Sequence, residues 1–334
     1  MKHMVHHSPP LISVDGLRRV FAARGGEDVV AVDDISLSVP QGETLAILGP
    51  NGAGKSTLIR MLTTLLPPSA GSARVAGCDV VRAASRVRSV IGYVGQGNSA
   101  GHAQRAKDEV ISQARFYGAS RDQASRRADE LFTTFDLEGM EQRRTREMSG
   151  GQRRRLDLAM GLVHNPRLLF LDEPTTGLDP QNRANLWEHI RRLREDTGMT
   201  VVLTTHYLDE ADAMAERIII VDHGRILADG SARELKDRHV GSHVTLVTSD
   251  QPSAHVLAAR LGEAQEVLHA SASGCTVRAR VTDTRSAMPH LLSLAAGHGI
   301  TVTRAHGEES TLDDVFLTLT GRSLRDTATT KGSA

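Results

Sequence analysis

Cysteine is nearly missing from this chain: two residues in 334, Cys78 and Cys275. They lie far apart and at no metal-ligand spacing, which excludes a disulfide framework and a cysteine-built zinc site. Two reduced thiols in a cytosolic protein is the reading. Charge imbalance is missing too, since Lys+Arg 40 and Asp+Glu 40 cancel to a formal net charge of +0. No basic excess points to nucleic acid as a partner, and no acidic tail stands out. Nor is there an apolar run near the roughly 18 residues of a membrane span. The longest, "LLFL" and "RIIIV", are strand-sized. The opening "MKHMVHHSPP" is polar and His-rich, which excludes a signal peptide. His3, His6 and His7 read as part of a mobile tail rather than a metal site. The expectation is a soluble protein whose membrane role, if any, runs through a partner.

What is present is an alternation of short apolar runs and helix patterns from Leu11 to about Asp229. "VVAVDDISLSV" alternates as a strand, and "ETLAILG" is a buried strand followed by a Gly-rich turn. "KSTLIRMLTTLL" predicts a helix stopped by Pro67 and Pro68. "SVIGYVGQ", "RLLFLD", "MTVVLTTH" and "RIIIVDHGRILADG" read as further strands, and Lys107 to Glu147 is helical and charged. This is an α/β core with a helical insertion. From about Val244 the order becomes βαββαβ with a closing helix, which suggests a small ferredoxin-like α+β domain.

Two stretches carry chemistry on their own residues. "GPNGAGKST", Gly49 to Thr57, fits the phosphate-loop pattern between a strand and a helix. Gly49, Gly52 and Gly54 let the backbone curl its N–H groups toward phosphate oxygens, and the helix that follows aims its positive end at them. Pro50, Asn51, Ala53 and Thr57 complete the nucleotide-binding loop. Lys55 is placed to reach the β/γ-phosphates of ATP and Ser56 to ligate Mg²⁺. "RLLFLDEP" supplies the acids: Asp172 at a buried strand's end to hold Mg²⁺, and Glu173 to orient or deprotonate a water.

A second Gly-rich stretch, "MSGGQ", opens another helix and has no evident nucleotide of its own. The three arginines after it, Arg153 to Arg155, read as a solvated helix face on which Arg153 pairs with Asp157.

"GPNGAGKST", "MSGGQ", "LDEPTTGLDP" and "LTTH" in this order closely resemble the ATP-binding subunits of ABC transporters, over about Leu11 to Gly230. The resemblance implies a P-loop ABC nucleotide-binding domain: a RecA-like core with an antiparallel β part and a helical subdomain. It implies Gln96 as the glutamine that senses Mg²⁺ and γ-phosphate, His206 as the γ-phosphate histidine, and Phe21 as the aromatic on adenine, with a core phenylalanine as the alternative. Ser149, Gly150, Gly151 and Gln152 would meet ATP held by a second copy, and Asp179 would cross to that copy. Met148 stands where the family has leucine, a near-isosteric change.

The segment after Gln96 faces a cytoplasmic helix of the membrane subunit in such proteins; here "GNSAGHAQRAKDEVISQARFYG" departs from the commoner form. "TLDDVFLTLTGR" resembles the ending of daunorubicin/doxorubicin-resistance export ATPases, which carry an extra C-terminal assembly domain. By residues alone it is a helix with Thr311 as N-cap, Asp313 and Asp314 in its first turn and Gly321 past its end.

The expected organisation is a tail at 1–10, an ABC domain at 11–232 with its helical subdomain at about 97–160, an accessory domain at 240–322 and a tail at 323–334. The expected protein is the ATPase of a drug exporter, a homodimer at the cytoplasmic side of the membrane beside a separate permease, with no nucleic acid bound. An importer ATPase, whose C-terminal domain is more often a β-rich barrel, and a non-transport ABC ATPase are the alternatives. The single motif set, without zinc spacing or long heptads, weighs against the latter.

Overall fold

The structure is a computed structural model that describes residues 9–23, 26–97, 101 and 103–321. The chain forms two compact units, Met1–Asp229 and Gly230–Ala334.

The first unit holds two sheets. Strands β1 (Ile12–Phe21), β2 (Val29–Val39), β4 (Ala70–Val75) and β5 (Cys78–Asp79) pair in the order β2-β1-β4-β5, antiparallel throughout. The second sheet is built from β3 (Thr44–Leu48), β6 (Ile91–Val94), β7 (Leu168–Asp172), β8 (Thr200–Thr205), β9 (Arg217–Asp222) and β10 (Arg225–Gly230), in the order β10-β9-β3-β8-β7-β6. Its ladders β9-β3-β8-β7-β6 are parallel. Every residue of β3, β7 and β8 is buried, which is why their apolar residues stand consecutively, as LAIL, LLFL and VVL, rather than alternating. Their carboxyl ends lie at one edge of the sheet, where α/β folds gather their ligands.

Around these run α1 (Lys55–Leu62), α2 (Ala84–Val90), α3 (Ala106–Phe116), α4 (Arg121–Thr134), α5 (Gly150–Gly161), α6 (Pro180–Thr197) and α7 (Leu208–Met214). No helix among the described residues is long and apolar enough to cross a membrane.

Three local expectations are corrected. Helix α1 stops at Leu62, well before Pro67: the Thr63 hydroxyl donates back to the Ile59 carbonyl at 2.9 Å and Thr64 turns left-handed at φ 66. Ser89 and Val90 close α2, so β6 begins only at Ile91. The Ala/Gly/Ser-rich β4 carries no apolar alternation and was not expected as a strand; there Gly71 approaches Gly16 so closely that a Cβ would meet its carbonyl oxygen at 2.1 Å.

The second unit runs α8 (Ala232–His239), β11 (Ser242–Thr248), α9 (Gln251–Leu261), β12 (Val267–Ser273), β13 (Thr276–Val281), α10 (Thr284–Gly297), β14 (Val302–Glu308) and α11 (Leu312–Thr320). The antiparallel order β12-β13-β11-β14 is that of a ferredoxin-like fold. Helices α9 and α10 bury Ala254, Leu257, Leu261, Ala287 and Leu291 with the strand residues Val244, Leu246 and Val277. Helix α11 packs against α8. Its Thr311 hydroxyl accepts from the Asp314 N–H at 3.2 Å, and Gly321 ends it at φ 72.

Candidate functional site

The loop after β3 is shaped by close backbone approaches. A Cβ on Gly49 would lie 2.2 Å from the Val221 carbonyl oxygen, and one on Gly54 would lie 2.2 Å from that of Ala31. Gly54 sits at φ 102 and caps α1. The β9–β10 turn, with His223 at φ 48 and Gly224 at φ 76, braces the loop: the Gly224 N–H donates to the Ala53 carbonyl at 3.0 Å. Ala53 is buried, whereas Asn51 and Gly52 stand exposed at the crest of the loop.

Lys55 folds back under this loop with only 4% of its surface exposed. Its Nζ donates to the Gly49 carbonyl at 2.7 Å and the Pro50 carbonyl at 3.1 Å, and lies 3.4 Å from Glu173 Oε1. Burial pulls its pKa down, and the Glu173 carboxylate opposes that.

Asp172 ends β7 fully buried. Ser56 donates to its Oδ1 at 2.8 Å and Thr204 to the same oxygen at 2.7 Å. Its Oδ2 is buried without a hydrogen-bond partner among the described residues. An inward carboxylate oxygen beside a hydroxyl suits a hard divalent cation, with water and phosphate supplying the remaining ligands.

Glu173 follows at φ 46, a left-handed conformation that costs a non-glycine residue about 1–3 kcal/mol. The surroundings over-determine it. Its N–H donates to the Thr204 hydroxyl at 3.0 Å, while Gln96 Nε2 and the Thr176 hydroxyl donate to its Oε2 at 2.9 and 3.2 Å. His206 Nδ1 lies 3.4 Å from that oxygen. Burial raises the Glu173 pKa, but the adjoining His206 imidazole and the Lys55 charge outweigh it and bring the carboxyl to about 2.

Lys55, Ser56, Gln96, Asp172, Glu173 and His206 are therefore brought together. In this state the Gln96 amide reaches Glu173, not the Ser56–Asp172 pair. Phe21 is separate: it ends β1 half-exposed, with the Arg19 guanidinium 4.7 Å above its ring, and is no core residue.

Ser149 and Gln152 form a capping box at the start of α5, the Ser149 hydroxyl accepting from the Gln152 N–H at 3.2 Å. Gly151 is packed: a Cβ there would lie 2.3 Å from Asn182 Oδ1. Asn182 in turn donates from Nδ2 to Asp179 Oδ2 at 2.6 Å, so the side chain that packs on Gly151 is held within the first turn of α6. At Gly150 a Cβ would meet nothing within 4 Å.

The solvated arginine face is overturned. Arg154 is only 6% exposed, and Arg153 and Arg155 are half-buried. Arg154 Nε donates to the Pro174 carbonyl at 2.6 Å and Nη1 to the Gly95 carbonyl at 2.7 Å. The charge within reach of Asp157 is that of Arg154, 3.9 Å away. Two carbonyls and a buried acid gave this side chain partners that solvent would otherwise supply. Gly95 precedes Gln96 and Pro174 follows Glu173, so one guanidinium spans both segments.

Thr204, Arg154 and Asn182 were missed from the sequence. Only the position of Thr204 in "LTTH", at the end of a buried strand, held any signal. The other two depend on contacts between distant segments.

Comparison with known proteins matches residues 32–176 to the family described as ABC transporter, and residues 230–320 to the C-terminal domain of ATP-binding proteins like DrrA1-3. The daunorubicin/doxorubicin resistance ATP-binding protein DrrA of Streptomyces peucetius is 44% identical over 301 residues, covering 90% of each chain. Nod factor export ATP-binding protein I of Ralstonia nicotianae is 37% identical over 96% of each. Among solved structures, cbiO1 of Clostridium perfringens, part of an ABC transporter complex, superposes with TM-score 0.61 at 27% identity, over 68% of this chain and 91% of its own. An ATP-binding cassette solved as a dimer with ADP and Pi gives TM-score 0.61 at 25% identity, over 66% and 98%.

Proposed function

We propose that this chain, which belongs to the ATP-binding subunits of ABC transporters and to their daunorubicin-resistance branch, drives efflux of a hydrophobic drug-like compound through a separate membrane subunit. It is an ATPase and the motor of an exporter. Relatives covering most of the chain are named for resistance or export, and none of those cited supports an importer. The observation that carries the mechanism is the convergence on Glu173 of Lys55, Gln96 and His206.

In that mechanism the loop N–H groups and Lys55 bind the β/γ-phosphates of ATP. Lys55 must then give up part of its hold on Glu173, which frees a carboxylate to orient the attacking water. Gln96 and His206 hold that carboxylate and donate toward the γ-phosphate. Ser56 and, through water, Asp172 would hold Mg²⁺, which neutralises phosphate charge when bound.

Such subunits work as dimers. We assign Ser149, Gly150, Gly151, Gln152 and Asp179 to the ATP of the second copy, and residues 240–322 to assembly. Gly150 supports this. Among the described residues none comes within 4 Å of a Cβ there, whereas an approaching phosphate would require the space. Gly150→Ala should therefore fold as stably as the native chain or gain up to about 1 kcal/mol, yet lose most of its hydrolysis with ATP binding kept. Unchanged turnover, measured beside the thermal midpoint, would sink this assignment.

The permease has a candidate seat. A groove of about 310 Å³ is lined by Thr63, Leu65, Arg88, Tyr93, Gln113 and Tyr117. Leu65 is 57% exposed, and Phe116, whose ring meets that of the lining Tyr117 edge-on, is 85% exposed. Phe116→Asp should abolish co-purification with the membrane subunit while ATP binding persists. Normal co-purification would remove the groove from consideration.

A further inference from the structure

The sheet of the second unit has one face under α9 and α10 and another whose described residues are exposed or half-buried. Side chains alternate along a strand, so the residues between the buried Val244, Leu246, Val277 and Ala279 stand on the second face. The register collects basic residues there. Arg280 lies opposite His243 and His269. Arg278 lies opposite Thr245, whose other neighbour is His306. Arg304 lies opposite Val247, one row further on. Arg278, Arg304, His269 and His306 are exposed, and Arg280 and His243 half-buried.

Within the described residues the cluster is not neutralised. Glu308 is the only acid in these rows, and it lies 3.5 Å from His306. Among the described residues, none of the three arginines has a carboxylate partner. This differs from the helices of the same unit, where Arg260 pairs with Glu263, and Arg285 with Glu309. In a chain whose charges cancel overall, three unpaired arginines on one sheet face are a local concentration.

Shape and composition limit the occupant. The four strands contain no Phe, Tyr or Trp, so only histidine and arginine side chains are left for a base to stack on. Rows about 7 Å apart on strands about 4.8 Å apart spread the guanidinium groups over a surface rather than around one small anion. Guanidinium groups engage phosphate with paired N–H donors. We propose that this face docks on an anionic phospholipid surface and holds the second unit against the membrane. The proposal rests on the reading that the subunit works beside a permease.

The test is vesicle flotation of the full chain without permease or ATP, so its failure leaves the ATPase reading untouched. Phosphatidylcholine vesicles are compared with an equal mixture of phosphatidylcholine and phosphatidylglycerol. Binding is expected to the mixture alone and should weaken as salt rises. Each basic side chain near an anionic surface is worth about fivefold in partition, so the double variant R278S/R304S should lose about 25-fold. R278K/R304K should keep most of the binding, and ATP hydrolysis should be unchanged in both. Equal binding to the two vesicle types, or a serine variant that partitions like the native chain, overturns the proposal. So does retention by poly-uridine with none by vesicles, which would reassign the face to nucleic acid.

Discussion

Glu173→Gln should lower ATP turnover by about 10²–10⁴ while ATP still binds, the usual worth of a general base. Oε1 lies 3.4 Å from Lys55 Nζ, and Oε2 receives Gln96 and Thr176 and lies close to His206. An amide fills the same space but cannot take a proton. It also removes the acid that competes for Lys55, so ATP affinity should be equal or higher. Single-turnover hydrolysis and nucleotide binding measured on the same preparation check both halves. Native turnover in the variant would show that Glu173 does not handle the water.

The same carboxyl predicts a pH effect with a definite sign. Without nucleotide it titrates at about 2, below the ordinary value of about 4.3. Its pairing therefore stabilises the fold in full above that ordinary value and is lost as pH falls toward 2. The native chain and Glu173→Gln should accordingly converge in stability at low pH. When phosphate draws Lys55 away, one source of the depression weakens. The acid limb of kcat should then lie above 2.

Arg154→Met should cost roughly 3 kcal/mol, because it breaks a buried charge network and leaves two carbonyls without their donor. For a unit of this size, that is a fall of about 6–12 °C in thermal midpoint. Those carbonyls belong to Gly95 and Pro174, the neighbours of Gln96 and Glu173. Turnover per folded molecule should therefore fall as well, with ATP affinity kept because Lys55 is untouched. Arg154→Lys retains charge without the fork that spans both carbonyls, so it should restore stability in part and turnover less. A lower midpoint with normal kcat would make Arg154 structural only.

Spacing along the chain was enough to read the glycine loop, the acidic pair at the end of β7 and the βαββαβ order of the second unit. Each is local: a glycine pattern between strand and helix, an acid at the end of an apolar run, an alternation of periods. Periodicity misled where burial depends on another segment. The arginines after "MSGGQ" have a surface composition, yet Arg154 is interior because Gly95 and Pro174 meet it there. Helix α1 ended at the backbone turn of Thr63 and Thr64, not at the prolines.

By itself, then, the sequence determined where the glycine loop, the acidic pair and the helix caps fall, because those features reside in single side chains and short spacings. Only the tertiary structure decided that Glu173 is held in a left-handed turn between Lys55, Gln96 and His206, that Arg154 is a buried tie, and that Gly151 packs against Asn182 while Gly150 is left open. Those outcomes depend on how closely remote backbones approach, and distance between remote segments is not written in any local pattern.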